Sequence, residues 1–185
     1  MRRYILTGAP GAGKTTILAG LRDRGYAVVD EAATEVIARE HARGCDEPWR
    51  EPRFIDAIAR LQQQRQLQPV PRGTTVQIFD RSPVCTLALA QQLGHPVTPL
   101  LAGQIERILA EQIYQPQVFF VQLLGFITPT AARRITLAES VRFERTHRRA
   151  YTERGFELID VPVSPPEQRT ALVEGYLRAL DPVSR

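Results

Sequence analysis

The chain contains no asparagine and a single lysine, Lys14, whereas arginine occurs 23 times among its 185 residues. GTPases of the Ras type recognise guanine through an Asn-Lys-x-Asp motif. Because this motif needs asparagine, the composition excludes that class of protein. The formal charge of +4 at pH 7 is modest for the chain length and suits an anionic small molecule. This charge does not by itself indicate a nucleic-acid-binding protein, and we do not expect nucleic acid as a partner.

Long apolar runs and metal-binding clusters are also missing. No apolar run approaches the roughly 20 residues that a membrane-spanning helix needs. The two cysteines, Cys45 and Cys85, lack the spacing of metal ligands, and the three histidines are scattered. We therefore expect two free thiols, no disulfide, no membrane partner and a cytoplasmic location.

Short apolar runs alternate with helical patterns along the whole chain. Because the strands are hardly ever adjacent in sequence, this alternation predicts parallel pairing and an α/β fold. The expected architecture is a three-layer sandwich, in which a five-stranded parallel sheet has helices on both faces. We expect one domain over residues 1–185, with a small helical lid at about 126–150. The predicted strands cover residues 3–7, 26–30, 74–79, 117–124 and 156–161.

A glycine-rich segment follows the first predicted strand and fits the pattern Gly-x-x-x-x-Gly-Lys-[Ser/Thr] of a P-loop. Glycines let the backbone curl around an anion, and the N-terminus of the following helix offers unpaired N–H groups. Lys14 would contact the β- and γ-phosphates of a nucleoside triphosphate, Thr15 would contribute to a Mg²⁺ site, and Thr16 would approach the α-phosphate. The predicted nucleotide-binding residues are Gly8, Ala9, Pro10, Gly11, Ala12, Gly13, Lys14, Thr15 and Thr16.

Charged residues follow two other predicted strands, Asp30-Glu31 after the second and Asp80-Arg81 after the third. Ligands of open parallel sheets gather at the carboxyl ends of the strands. Asp80 could hold Mg²⁺ or accept a proton, and Arg81 could bind an anionic group during phosphoryl transfer. Glu31 is a second catalytic candidate, ahead of Asp30, although both acids could simply complement a helix dipole.

Arginines are concentrated near the predicted lid, where Arg133 and Arg134 precede a helix that carries Arg142, Arg145 and Arg149. A basic stripe facing a triphosphate would neutralise charge that develops during transfer, with Arg134 as the first catalytic candidate. The same arginines could instead form a solvated, ion-paired helix face. Trp49 could equally wall an acceptor pocket or belong to ordinary packing.

Five segments together resemble a known family. They are residues 6–16 with the P-loop, residues 25–31 with Gly25-Tyr26, residues 79–83 with Phe79-Asp80-Arg81, and the late segments 142–147 and 155–162. The chain resembles the AAA-type ATPase/kinase domains that are grouped with nicotinamide-riboside kinases, in the nucleoside and nucleotide kinase branch of the P-loop NTPases. This resemblance implies ATP, Mg²⁺, a kinase-like core and a lid. It also implies that Asp80 and Arg81 are similar to the acid-arginine pair of deoxynucleoside and thymidylate kinases, and Glu31 to their strand-two carboxylate.

These observations favour an ATP- and Mg²⁺-dependent kinase that acts on a small nucleoside- or nucleotide-like acceptor. A nucleotide-dependent regulatory ATPase that works through a protein partner is the alternative. A kinase or ATPase acting on nucleic acid is a third reading, motivated by the sequence pI of about 9.5. The sequence does not identify the acceptor, the oligomeric state or the preference between ATP and GTP.

Overall fold

A parallel five-stranded sheet forms the centre of the structure, a computed structural model that describes residues 1–125 and 135–180. Its strand order is β2-β3-β1-β4-β5, and every neighbouring pair is parallel. The first strand is therefore central, with the third strand on one side and the fourth on the other. The strands are β1 Arg2–Thr7, β2 Ala27–Val29, β3 Val76–Asp80, β4 Gln117–Val121 and β5 Glu157–Val161.

Helices separate the strands along the chain, as the alternating pattern predicted. A short 3₁₀ helix covers Pro48–Arg50. The fold class expected from the sequence is confirmed, including the parallel sheet with helices on both faces. The helices are α1 Lys14–Asp23, α2 Ala32–His41, α3 Arg53–Leu67, α4 Pro83–Leu93, α5 Pro99–Ala110, α6 Leu137–Thr152 and α7 Pro166–Leu180.

The two faces of the sheet are covered by different helices because successive strand residues point to opposite sides. Tyr4 and Leu6 of β1 pack with α1 and α7 on one face. Ile5, between them, packs with α4 and α6 on the other face. These residues are almost completely buried. Each large aliphatic side chain removed from water in this way contributes about 1.5–3 kcal/mol to stability.

A third apolar cluster consists of helix residues alone. It joins α2, α3, α4 and α5 through side chains such as Ile37, Phe54, Ile58 and Leu87. Because no strand contributes to it, these helices form a packed unit beside the sheet. This unit places one wall of helices next to the carboxyl ends of β2 and β3.

Helix boundaries follow their capping residues. The Ser82 hydroxyl accepts a hydrogen bond from the Val84 N–H at the start of α4, and Pro83 occupies the first helical position. Thr136 and Glu139 form a capping box at the start of α6. Gly94 ends α4 in the left-handed conformation, with φ of 72°.

The predicted lid is described only from residue 135 onward, so Arg133 and Arg134 lie outside the described residues. Within α6, a stripe formed by Ser140, Phe143, His147 and Tyr151 is buried. This stripe packs α6 against the body of the domain and includes members of the same core cluster as β1 and α4. No helix in the two described ranges is long and apolar enough to span a bilayer.

Gly8 lies directly after β1, at a close approach to the backbone of β4. Its φ is +144°, and an added Cβ would lie 2.3 Å from the carbonyl oxygen of Val121. We predict that Gly8→Ala lowers the free energy of unfolding by about 2 kcal/mol or more, since backbone on β1 or β4 must shift. Urea denaturation monitored by circular dichroism would measure the change.

Gly175→Ala is the matched control. Gly175 is exposed in α7, and a Cβ there would meet no atom within 4 Å. Because alanine favours a helix over glycine, this change should raise stability by up to about 1 kcal/mol. Unchanged stability of Gly8→Ala would contradict the close approach of Gly8 to β4.

Candidate active site

The loop between β1 and α1 forms a cradle of backbone groups. Gly8, Gly11 and Gly13 have φ values of 144°, 88° and 83°, which L-residues with side chains rarely adopt. Gly13 is the N-cap of α1, and no side chain caps this helix end. The first N–H groups of α1 and the positive end of its dipole are therefore available to an anion.

Lys14 belongs to the same cradle. Its side chain is buried, and its ammonium donates hydrogen bonds to the carbonyls of Gly8 (3.1 Å) and Ala9 (3.2 Å). These bonds fold the lysine back over the loop, so that its charge lies beside the backbone donors. The role expected for Lys14 in phosphate binding stays a prediction.

A cavity of about 730 Å³ opens from the cradle. The wall that the cradle contributes consists of Pro10, Gly11, Gly13, Lys14, Thr15 and Thr16. Gly8, Ala9 and Ala12 are buried beneath this wall. Because β1 and β3 are neighbours in register, with Leu6 opposite Asp80, the cavity also contains Asp80, Arg81 and Glu31. The structure therefore brings together the P-loop and three of the catalytic candidates from other segments.

Arg81 is the centre of an ion-paired group in the cavity. Its Nε lies 2.5 Å from Oε1 of Glu31, and its Nη1 lies 3.3 Å from Nε2 of His147. Its backbone has φ of +72°, a conformation that costs a non-glycine residue about 1–3 kcal/mol. The Arg81 N–H donates to the Leu6 carbonyl, which holds this strained turn between β3 and α4 against β1.

Burial changes the protonation of the two groups closest to the cradle. It lowers the pKa of Lys14 to about 8, with the charge of Arg81 acting in the same direction and Asp80 opposing it. It raises the pKa of Asp80 to about 6, although the Lys14 charge counteracts the shift. Both groups thus change charge within about a unit of neutral pH. A charged ligand bound nearby would therefore change their protonation state.

Glu31 and His147 are tuned differently. Burial alone would raise the pKa of Glu31, but the charges of Arg81 and Lys14 and a 2.9 Å hydrogen bond from Thr34 bring the pKa below its usual value. Burial lowers the pKa of His147 well below its usual range, and Arg81 adds to this. His147 is therefore neutral at pH 7, so that Nε2 accepts from Arg81.

Thr15 and Asp80 are the residues that would hold Mg²⁺. Oδ1 of Asp80 is buried and accepts no hydrogen bond from the described residues, and the exposed Thr15 lines the same cavity. An unpaired carboxylate oxygen and a hydroxyl fit the hard oxygen donors that Mg²⁺ prefers. When bound there, Mg²⁺ would neutralise charge on the β- and γ-phosphates.

The arginine stripe of α6 does not face the cavity. Arg142, Arg145 and Arg149 lie on the exposed side of the helix, and Arg149 pairs with Glu153 at 2.6 Å. Glu139 in the first turn of α6 and the buried Phe143 line the cavity instead. The role expected for Arg134 stays a prediction, because that residue lies outside the described ranges.

The other predicted residues lie either on the surface or in the cavity. Asp30 is exposed and pairs with Arg22 on the surface at 2.8 Å, whereas Glu31 points into the cavity. Trp49 lines the cavity as well, together with Phe54. Two residues that sequence reasoning did not single out are His147, which contacts Arg81, and Arg169, which contacts the cradle. The sequence contains a weak indication of this role for Arg169, because the helix dipole disfavours a cation in the first turn of α7.

Comparisons with known proteins agree with this geometry. A family model described as an AAA domain matches residues 3–169. The chain belongs to this AAA domain family. No curated protein sequence matches it at a significant level.

Solved structures show the same fold. Deoxyadenosine kinase from M. mycoides with bound dCTP has a TM-score of 0.62 at 15% identity, covering 97% of this chain and 100% of that one. Shikimate kinase from Acinetobacter baumannii in complex with shikimate has a TM-score of 0.58 at 12% identity, covering 98% and 95%. The AAA-type family and the fold expected from the sequence are confirmed, and both of these neighbours are named as kinases.

The lowered pKa of Lys14 predicts how ADP binding depends on pH. The ammonium form binds phosphate, so affinity for ADP should fall about tenfold per pH unit as the pH rises above about 8. Isothermal titration calorimetry from pH 7 to pH 9.5 would measure it. In Lys14→Arg the guanidinium stays protonated, so any remaining affinity should not change around pH 8. A flat wild-type profile, or the same fall in Lys14→Arg, would contradict the assignment.

Proposed function

We propose that this protein is an ATP- and Mg²⁺-dependent small-molecule kinase that transfers the γ-phosphoryl group to a nucleoside- or nucleotide-like acceptor. The observation that carries the proposal is that one cavity is lined both by Lys14 of the cradle and by Trp49 and other apolar side chains. A nucleotide-hydrolysing switch needs the cradle but has no use for the part of the cavity lined by apolar side chains and two amides, which we call the second compartment. A kinase needs both compartments, with charged groups between them.

The second compartment has the chemistry of a site for a flat, ring-bearing molecule. Most of its wall is apolar, and two amides, Gln62 and Gln92, interrupt it. The Thr86 hydroxyl donates to Oε1 of Gln62 at 2.9 Å, which leaves the Gln62 NH₂ group to donate to a ligand. Apolar walls with a few placed polar groups are typical of small-molecule sites. The apolar lining consists of Ile37, Trp49, Phe54, Ile58, Leu89 and Leu93.

Glu31 and Arg81 lie between the two compartments. In the proposed reaction an acceptor hydroxyl oxygen attacks the γ-phosphorus, and the bond from that phosphorus to the β–γ bridging oxygen breaks to release ADP. The hydroxyl proton passes to Glu31, which is ionised because its pKa is lowered by Arg81. Arg81 and Lys14 stabilise charge on the transferring group, and little covalent chemistry is asked of the protein.

The neighbouring kinases are named for different acceptors, deoxyadenosine and shikimate, on one shared fold. The fold therefore does not select the acceptor. In the proposal, the residues that line the second compartment select it. Its indole and phenyl rings favour a nucleobase over a small polyhydroxylated acid. The proposal places the nucleobase against Trp49 and Phe54.

Coupled ADP release with Mg-ATP tests the activity directly. Ribonucleosides, deoxynucleosides, nucleoside monophosphates, vitamin-like ribosides and shikimate would each be added, with Lys14→Ala as the blank. A nucleoside or nucleotide that raises ADP release well above the basal rate supports the proposal. If no compound does so, the kinase proposal fails and the regulatory-ATPase reading takes its place.

Glu31→Gln should lower acceptor-dependent turnover by roughly a hundredfold or more while leaving ATP affinity nearly unchanged, since it removes a proton acceptor and keeps the side-chain shape. Asp30→Asn is the matched control, because Asp30 is an adjacent acid with its ion pair on the surface. It should retain turnover within twofold. Equal losses in both variants would remove Glu31 from the assigned role.

Trp49→Ala tests the second compartment. Loss of the indole should raise the KM for the acceptor by roughly tenfold or more, because it removes a large buried contact surface, and should leave the KM for ATP unchanged. Steady-state kinetics with each substrate varied in turn would measure both. A rise in the KM for ATP alone would place the nucleotide, not the acceptor, beside Trp49.

A further inference from the structure

Arg169 is a buried cation that contacts the backbone of the cradle. The residue is 2% exposed and lies in the first turn of α7. Within the two described ranges no carboxylate pairs with it. Its guanidinium donates instead to three backbone carbonyls, those of Ala12 (2.7 Å), Gln122 (2.8 Å) and Val161 (3.4 Å).

These three carbonyls belong to separate segments. Ala12 is in the cradle, Gln122 follows β4, and Val161 ends β5. One side chain therefore forms hydrogen bonds both to the cradle and to the carboxyl ends of β4 and β5. The approach is close, since a Cβ added to Gly13 would lie 3.2 Å from Nη1 of Arg169.

The contact with Ala12 also determines the direction of a neighbouring donor. In a planar trans peptide the carbonyl and the following N–H point in opposite directions. With the Ala12 carbonyl held towards Arg169, the Gly13 N–H points away from it, towards the concave side of the cradle. Among the described residues, no backbone carbonyl accepts from this N–H.

We propose that Arg169 is a positioning residue, which orients and polarises the Gly13 amide as a donor to the β-phosphate of the nucleotide. A hydrogen bond from a charged donor draws electron density towards the Ala12 oxygen and increases the partial positive charge on the Gly13 N–H. This inference rests on the proposed binding of a nucleotide at the cradle.

Arg169→Gln is the principal test, because it removes the charge while keeping one amide donor for a carbonyl. We expect its dissociation constant for ADP to rise roughly ten- to a hundredfold, as for loss of a charged hydrogen bond. Arg178→Met on the same helix is the control, since Arg178 is exposed and pairs with Glu174. It should bind ADP as the wild type does. A folded Arg169→Gln with ADP affinity within twofold of wild type would overturn the proposal.

A second measurement needs no altered protein. In ¹⁵N-labelled wild type, polarisation should move the Gly13 amide nitrogen downfield of those of the exposed Gly25 and Gly44. A Gly13 resonance like theirs would also overturn the proposal, even if Arg169→Gln does not fold. Wild-type protein that fails to bind ADP would contradict the proposed function instead, and the Gly13 resonance would still decide the role of Arg169.

Discussion

The parallel pairing of β1 with β3 is the constraint on which the site depends. It sets Leu6 beside Asp80, and the Arg81 N–H then donates to the Leu6 carbonyl. Two turns therefore begin side by side at the carboxyl ends of β1 and β3. One turn carries the glycine cradle, and the other carries Asp80 and Arg81. Without this register, the lysine and the carboxylates that change its pKa would not share a cavity.

Burial gives these charges their chemistry. In water, a lysine and an aspartate carry full charge at neutral pH and interact weakly. In the cavity, removal from water brings the pKa of Lys14 down to about 8 and that of Asp80 up to about 6. Arg81 adds to the fall at Lys14 and Glu31 adds to the rise at Asp80, whereas Lys14 and Asp80 each oppose the other's change. A bound polyphosphate or cation can therefore shift the protonation of both groups with little structural movement.

Helix α6 links the two halves of the site through its buried face. The Ser140 hydroxyl donates to the Pro10 carbonyl in the cradle, and His147 accepts from Arg81. One turn further on, the Tyr151 hydroxyl lies 2.7 Å from that of Ser82, which caps α4. A displacement of α6 would thus disturb the cradle and Arg81 together. This face, and not the outer arginines, connects the helix with the site.

The sequence by itself determined the fold class, the cradle from Gly8 to Thr16, and the placing of Glu31, Asp80 and Arg81 at strand ends. These depend on local rules: glycine conformations, strand and helix periodicity, and capping residues such as Thr136 with Glu139. Only the tertiary structure separated Glu31 from Asp30, turned the α6 arginines outward and brought His147 and Arg169 to the site. Helix phase and long-range packing decide which side chains face the cavity, and neighbouring residues in sequence do not encode those contacts.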